Sequence, residues 1–107
     1  MITYEDFKKL DIRIGKIISA ERIPDSDKLL KLIVDFGTEQ RQILAGIAEY
    51  FPDPLILLDK QVPIIVNLEP RKMRGLESQG MMLAADDGVK PILLHPAEEV
   101  PPGSIVR

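Results

Sequence analysis

The 107-residue sequence predicts a small all-β domain, a five-stranded barrel with a short N-terminal helix and a C-terminal extension. Three observations predict it. Short segments rich in Ile, Leu and Val recur along the chain, some alternating in polarity, as half-buried strands do. Pro, Gly, Asp and Ser cluster between them as turn signals. Hydrophobic residues make up 45% and charged residues 29%, which excludes wholesale disorder, and the length suits one core, so residues 1–107 are read as a single domain.

Taken in order, Thr3 stands three residues before Asp6, with Tyr4, Phe7 and Leu10 at helical spacing, which predicts a capped helix of two turns. Asp11 to Ala20 is an Ile-rich strand with Ile12 and Ile14 on one face. The parity changes after Gly15, where Ile17 and Ile18 are both apolar, and this places a bulge or sharp bend at Gly15. Glu21 to Lys28 is a loop by its Pro, Asp and Ser content. Leu29 to Phe36 alternates, with Leu30, Leu32, Val34 and Phe36 facing one way and Leu29, Lys31, Ile33 and Asp35 the other. A turn over Gly37 to Gln40 leads into a third strand, Arg41 to Ala45, followed by a helical turn near Ile47 to Phe51.

Leu55 to Lys60 is an apolar connector of open class, and Val62 to Asn67 is the fourth strand, with Val62, Ile64 and Val66 inward and Asn67 outward. Gly80 to Ala85 is the fifth. Asp86-Asp87-Gly88 is a turn, and Val89 to Arg107 holds short apolar pieces broken by Pro and Gly. Five strands with a helical piece between the third and fourth match the OB-fold order, in which the outer face of strands 2 and 3 and the loops joining strands 1 to 2 and 4 to 5 receive oligomeric ligands.

The net charge of −3 and pI near 5.1 exclude a protein that coats nucleic acid through bulk charge. The stretch from Asn67 to Met82, which reads as a basic loop between two strands, differs from that background. Arg71, Lys72 and Arg74 put three cations in four residues, beside Asn67, Ser78, Met81 and Met82. Charge for phosphates, donors and acceptors, and apolar surface for bases suit single-stranded or looped RNA. Lys31 and Arg41 fall where they could face outward between this segment and the loop that carries Lys28.

Other chemistries find no support. His95 is the sole histidine and sits between Leu94 and Pro96 without a partner motif. Asp25-Ser26-Asp27 resembles the start of a calcium loop, but Lys28 and Leu29 follow where oxygen ligands belong, so a turn is the better reading. Glu98-Glu99 and Asp86-Asp87 are adjacent carboxylates, which point apart on a strand. No P-loop or dinucleotide glycine pattern occurs, so no enzyme, cofactor or metal is expected. With no Cys, disulfides and thiolate metal sites are excluded, which is compatible with a reducing cytoplasm. No apolar run reaches the length of a membrane span and the opening Met-Ile-Thr-Tyr-Glu-Asp lacks signal-peptide character, so the chain is expected to stay in the compartment where it is made.

Asp11-Ile-Arg-Ile-Gly15-Lys-Ile17, Asp27-Lys-Leu-Leu-Lys-Leu32, Asn67-Leu-Glu-Pro-Arg-Lys-Met-Arg-Gly75 and Ser78-Gln-Gly-Met81, in that order, resemble the structure-tolerant tRNA-binding domain family. That family includes the C-terminal domain or separate small subunit of methionyl-tRNA synthetases and a free-standing tRNA-binding protein. The resemblance implies an OB-fold, noncatalytic binding of tRNA by shape in the cytoplasm, and attachment to a synthetase catalytic region, fused or separate. It further implies tRNA contacts at Asn67, Arg71, Lys72, Arg74, Ser78 and Met81, with Lys28, Lys31 and Arg41 as a second group. Structural roles compete: Asn67 as a strand-end cap, Ser78 as a partner for loop backbone and Met81 as a packing residue. Met73 is read as a loop anchor, and Gly75 and Gly80 as positions a Cβ would oppose. A homodimer through the N-terminal helix and the C-terminal extension is implied as well. The first rival function is that of the family's secretion-related chaperone branch, which binds unfolded peptides, and the second is a pure dimerisation module whose RNA affinity is incidental.

Overall fold

Thr3 caps the first element of the computed structural model, which describes residues 1–107. Its hydroxyl accepts from the Asp6 amide at 3.1 Å while the Asp6 carboxylate accepts from the Thr3 amide at 3.1 Å, the reciprocal pattern of a capping box. Helix α1 (Tyr4–Phe7) lasts one turn where two were expected. None of its residues is buried, so little packing offsets the cost of fixing a second turn.

The strands are β1 (Ile12–Arg22), β2 (Leu30–Asp35), β3 (Gln40–Ala45), β4 (Gln61–Ile65), β5 (Arg71–Met73), β6 (Leu76–Ser78), β7 (Met81–Met82), β8 (Ala84–Asp86), β9 (Pro91–Leu93) and β10 (Ile105–Val106). The order β3-β2-β1-β4-β7, antiparallel throughout, forms a nearly closed five-stranded OB-fold barrel. Single 3-10 turns at Ala48–Tyr50 and Pro54–Leu57 fill the connection from β3 to β4. The second settles the class of the apolar connector, and the Asp53 carboxylate caps it by accepting from the Leu55 amide at 3.1 Å. No helix is long and apolar enough to cross a membrane.

Leu30, Leu32 and Val34 from β2, Ile43 from β3, Val62 and Ile64 from β4 and Ile17 from β1 are wholly buried in the barrel core, the faces the alternation predicted for β2 and β4. Burying each such side chain contributes roughly 1.5–3 kcal/mol. β1 is long because it serves two partners, β4 through Ile12 to Lys16 and β2 through Lys16 to Arg22.

The bulge expected at Gly15 lies elsewhere. The register runs unbroken through Gly15 and shifts between Ile17 and Ser19, which leaves Ile18 unpaired and exposed. Gly15 instead permits close packing: a Cβ there would clash with Val34 Cγ1 and lie 2.8 Å from Phe36 Cε1.

The fifth strand also divides. Met81 and Met82 pair with Ile65 and Ile64, and the Leu83 amide donates to the Pro63 carbonyl at 3.0 Å. Pro63 has no N–H to return, so the ladder stops, and Ala84 to Asp86 leaves the barrel to pair with β9. The tail after β9 folds back over the same chain. Both ends of the Gln61 amide hold Val100 backbone, at 2.6 and 3.0 Å, and β10 pairs with the start of β1.

Gly15→Ala should destabilise the fold by about 1–3 kcal/mol through overpacking, read as a lower urea midpoint at unchanged slope. A wild-type midpoint would show that Val34 and Phe36 yield freely. The pH response of the capping box has a definite sign. Asp6 is held below the ordinary carboxylate range, first by the backbone hydrogen bond from Thr3 and then by the Thr3 side chain. The box is therefore intact above the ordinary carboxylate pKa, and amide-exchange protection at Thr3 should fade as pH drops through the depressed value.

Candidate nucleic-acid interface

The basic segment read as a loop is a β-hairpin. Arg71, Lys72 and Met73 pair with Ser78, Glu77 and Leu76, leaving Arg74 and Gly75 as a two-residue turn. Both have positive φ, 54° and 78°, as the type I′ hairpin turn requires. Gly75 accepts this freely, whereas Arg74 carries a Cβ into the left-handed region, a strain of order 1–3 kcal/mol of the kind found at ligand-binding positions. The turn presents the Arg74 side chain at the apex, exposed to solvent.

Residues 77–80 fasten this hairpin to the edge of β3. Gln79 donates its amide to the Gln42 carbonyl at 2.8 Å and its side-chain oxygen accepts from the Gln42 amide at 3.0 Å, while Gln42 Nε2 donates to the Glu77 carbonyl at 2.9 Å. Ser78 is only 3% exposed; its hydroxyl accepts from the Leu44 amide at 3.0 Å and donates to the Gly80 carbonyl at 2.9 Å. Gly80 lies so close to Ile65 that an added Cβ would stand 2.9 Å from its carbonyl oxygen.

The residues nominated for RNA contact therefore divide. Ser78 is buried in the closure. Asn67 is exposed, but its Oδ1 accepts from the Asp11 amide at 2.8 Å and its Nδ2 donates to the Lys9 carbonyl at 2.7 Å, tying the segment after α1 to the end of β4. Arg41 shares the parity of Ile43 and Ala45 rather than facing outward with Lys31. Its guanidinium meets Glu39 at 2.9 Å and donates to the Val66 and Gln79 carbonyls at 2.6 and 3.1 Å. Lys31 lies on the outer face of β2 and pairs with Glu21 at 3.8 Å.

Lys28, Arg71, Lys72 and Arg74 are exposed, and the intrachain ion pairs engage other cations: Lys8, Lys9, Arg13, Lys16, Lys31 and Arg41. Lys28 and Arg74 line one cleft of about 390 Å³ with Met73, Asp25 and Asp27. The Asp25-Ser26-Asp27 segment is the turn the sequence suggested, with the Ser26 hydroxyl accepting from the Leu29 amide at 3.2 Å. Arg71 and Met81 line a neighbouring apolar pocket that shares Leu29 and Met73 with the first. The two loops thus meet, and Met73, read as an anchor, stands between them. Sequence reasoning missed Gln42, Gln79 and Leu44; the one local signal for the hairpin was the turn residue Gly75 after Arg74, flanked by Arg71-Lys72-Met73 and Leu76-Glu77-Ser78.

A family model described as "Putative tRNA binding domain" matches residues 12–105. The chain is 50% identical over 106 residues to the methionine–tRNA ligase of Thermococcus onnurineus, covering 99% of this chain and 14% of that protein. It is 53% identical over 106 residues to the methionine–tRNA ligase of Archaeoglobus fulgidus, covering 98% of this chain and 16% of that protein. The chain thus spans only a small part of those ligases. Among solved structures, a MetRS-related protein from Pyrococcus horikoshii superposes with a TM-score of 0.93 at 42% identity, covering 100% of this chain and 98% of the other. The CsaA chaperone protein from Picrophilus torridus superposes with a TM-score of 0.89 at 31% identity, covering 100% of both chains.

Ser78→Ala should act first on stability. It strands the Leu44 amide without its partner, at a cost of about 1–3 kcal/mol, and chemical denaturation should register the loss without RNA present. Unchanged stability would mean that the Leu44 amide finds another partner.

Proposed function

The chain belongs to the tRNA-binding domain family, and from that premise we propose that it binds tRNA without catalysing a reaction, as an accessory part of a methionyl-tRNA synthetase, fused to or separate from the catalytic region. The single observation that carries this reading is the set of unpaired cations on the β5–β6 hairpin. Arg71, Lys72 and Arg74 are displayed on a rigid two-stranded arm, with Lys28 across the cleft from Arg74. They are free to pair with phosphates, whereas most other cations of this acidic chain are already engaged. Few phosphates can be met by so small a set, so binding is modest, salt-sensitive and tolerant of sequence. Held beside a synthetase in the cytoplasm, such a module raises the local concentration of tRNA without choosing among tRNAs.

In this reading Asn67, Ser78 and Arg41 support the interface by fixing backbone, and Lys31 adds to the field from the outer face of β2. A homodimer belongs to the same proposal. Tyr50, Ile56 and Ile92 are exposed around an apolar cleft of about 370 Å³ between the 3-10 turns and β9, and Leu10, Ile105 and Val106 are exposed near the two termini. A two-fold partner would cover them.

The test is tRNA binding by fluorescence anisotropy across a range of salt. Wild-type affinity should fall steeply with salt, and Lys72→Ala should make the slope of log K against log salt shallower by about 0.7–0.9, the loss of one phosphate contact. An unchanged slope in Lys72→Ala and Arg74→Ala alike would move the interface off the hairpin. Tight binding of an unfolded peptide without tRNA affinity would favour the chaperone function instead. Sedimentation equilibrium should report twice the 12.0 kDa chain mass, and a monomer at micromolar concentration would remove the dimer from the proposal.

A further inference from the structure

Beneath Arg71, between the β5–β6 hairpin, the end of β3 and β7, lies an apolar pocket of about 310 Å³ walled by Leu29, Leu44, Ile47, Met73 and Met81. It is near the small end of the range for ligand pockets, roughly 300–1,000 Å³. Met81, 42% exposed, and the exposed Arg71 both line it, so the pocket opens to solvent beside a free cation. An apolar slot next to an unpaired guanidinium matches the two halves of a nucleotide, the flat π faces of a base and an anionic phosphate. The hairpin contains no Phe, Tyr or Trp on which bases could stack. What the pocket offers instead are polarizable thioethers at Met73, Met81 and Met82, which adapt to a ring and contact its face or edge favourably.

We propose that this pocket takes one unstacked nucleobase of the bound RNA, held by Met73 and Met81, with the adjoining phosphate on Arg71. The inference rests on the tRNA-binding reading and deepens it. Contact then combines a salt-dependent part, set by the cations, with a salt-independent part, set by the pocket. An RNA with an unpaired base is favoured over a fully paired duplex, and the identity of that base matters little because the wall lacks a polar reader.

Gly46 makes the two parts separable. It lines the same pocket, and a Cβ built on it meets nothing within 4 Å, so Gly46→Leu can project into the space without displacing the core. The experiment titrates tRNA into the wild type, Gly46→Leu, Met81→Ser and Arg71→Ala across a salt range, with thermal melts to identify any variant that fails to fold. Gly46→Leu and Met81→Ser should each weaken binding by about five- to tenfold at unchanged salt slope, while Arg71→Ala should flatten the slope. If both pocket variants bind tRNA as the wild type does while Arg71→Ala weakens it, the base pocket is refuted and the tRNA reading stands. If the wild type binds no tRNA, both fall. If a fluorescent apolar peptide binds and is lost in Gly46→Leu while tRNA binding is untouched, the pocket serves peptides and the proposal is overturned.

Discussion

The barrel must be closed where β3 and β7 fail to form a ladder, and the rest of the site follows from how that gap is bridged. A strand edge left open inside a small barrel strands N–H and C=O groups away from water, at a cost the fold cannot carry repeatedly. Here Gln42, Ser78 and Gln79 supply side-chain substitutes for the missing rungs, and Arg41 binds the Val66 and Gln79 carbonyls at the end of the same seam. Because these bonds land on residues 77–79, they also fix β6, and through β6 the whole basic hairpin. Closure and presentation are one set of interactions.

That coupling explains the division of labour among the polar residues. A side chain with both hydrogen-bonding ends committed to backbone, as at Asn67, has little left to offer a ligand, whereas Lys72 and Arg74 take part in none of the intrachain ion pairs. The surrounding carboxylates temper the field. Asp25 and Asp27 share the cleft with Lys28 and Arg74, and Glu77 stands opposite Lys72 across the hairpin. The local potential is therefore moderate, and in the proposed binding the placement of the cations counts for more than their number. The positive φ of Arg74 is consistent with this, since an Asn or Gly at that position would make an easier turn but would place no charge at the apex.

Much of the fold was legible because its causes are local. The Thr3–Asp6 capping box lies within one turn, and the alternation of β2 and β4 marks which residues face the core. What stayed hidden has distant causes. The bonds from Gln42 to residues 77 and 79 and from Leu44 to Ser78 span more than thirty residues and leave no periodic trace. Three-residue strands are too short for alternation to identify, so the β5–β6 hairpin read as a loop. Gly15 was misread because β1 is covered on both faces there: Gly15 and Ile17 face the core while Ile12 and Ile14 are buried on the opposite face, and the extra residue itself sits three positions on, at Ile18. The split of the last barrel strand had a visible cause in Pro63, but only the register shows which neighbour loses the missing donor.

The candidate site was legible at a different level. Charge clustering located it, and resemblance to a family proposed its members, but neither separates a residue that touches a ligand from one that holds the backbone in place. Physical accounting separates the residues that hold backbone from those left free to meet a ligand. Ser78 and Asn67 satisfy backbone donors and acceptors that would otherwise be orphaned, so a barrel of this kind needs them whatever it binds. Arg71, Lys72, Arg74 and Met81 contribute nothing comparable to closure, and their exposure has no structural compensation. Residues of the first kind belong to the shared framework, and those of the second are where chains with this same barrel can diverge in what they bind.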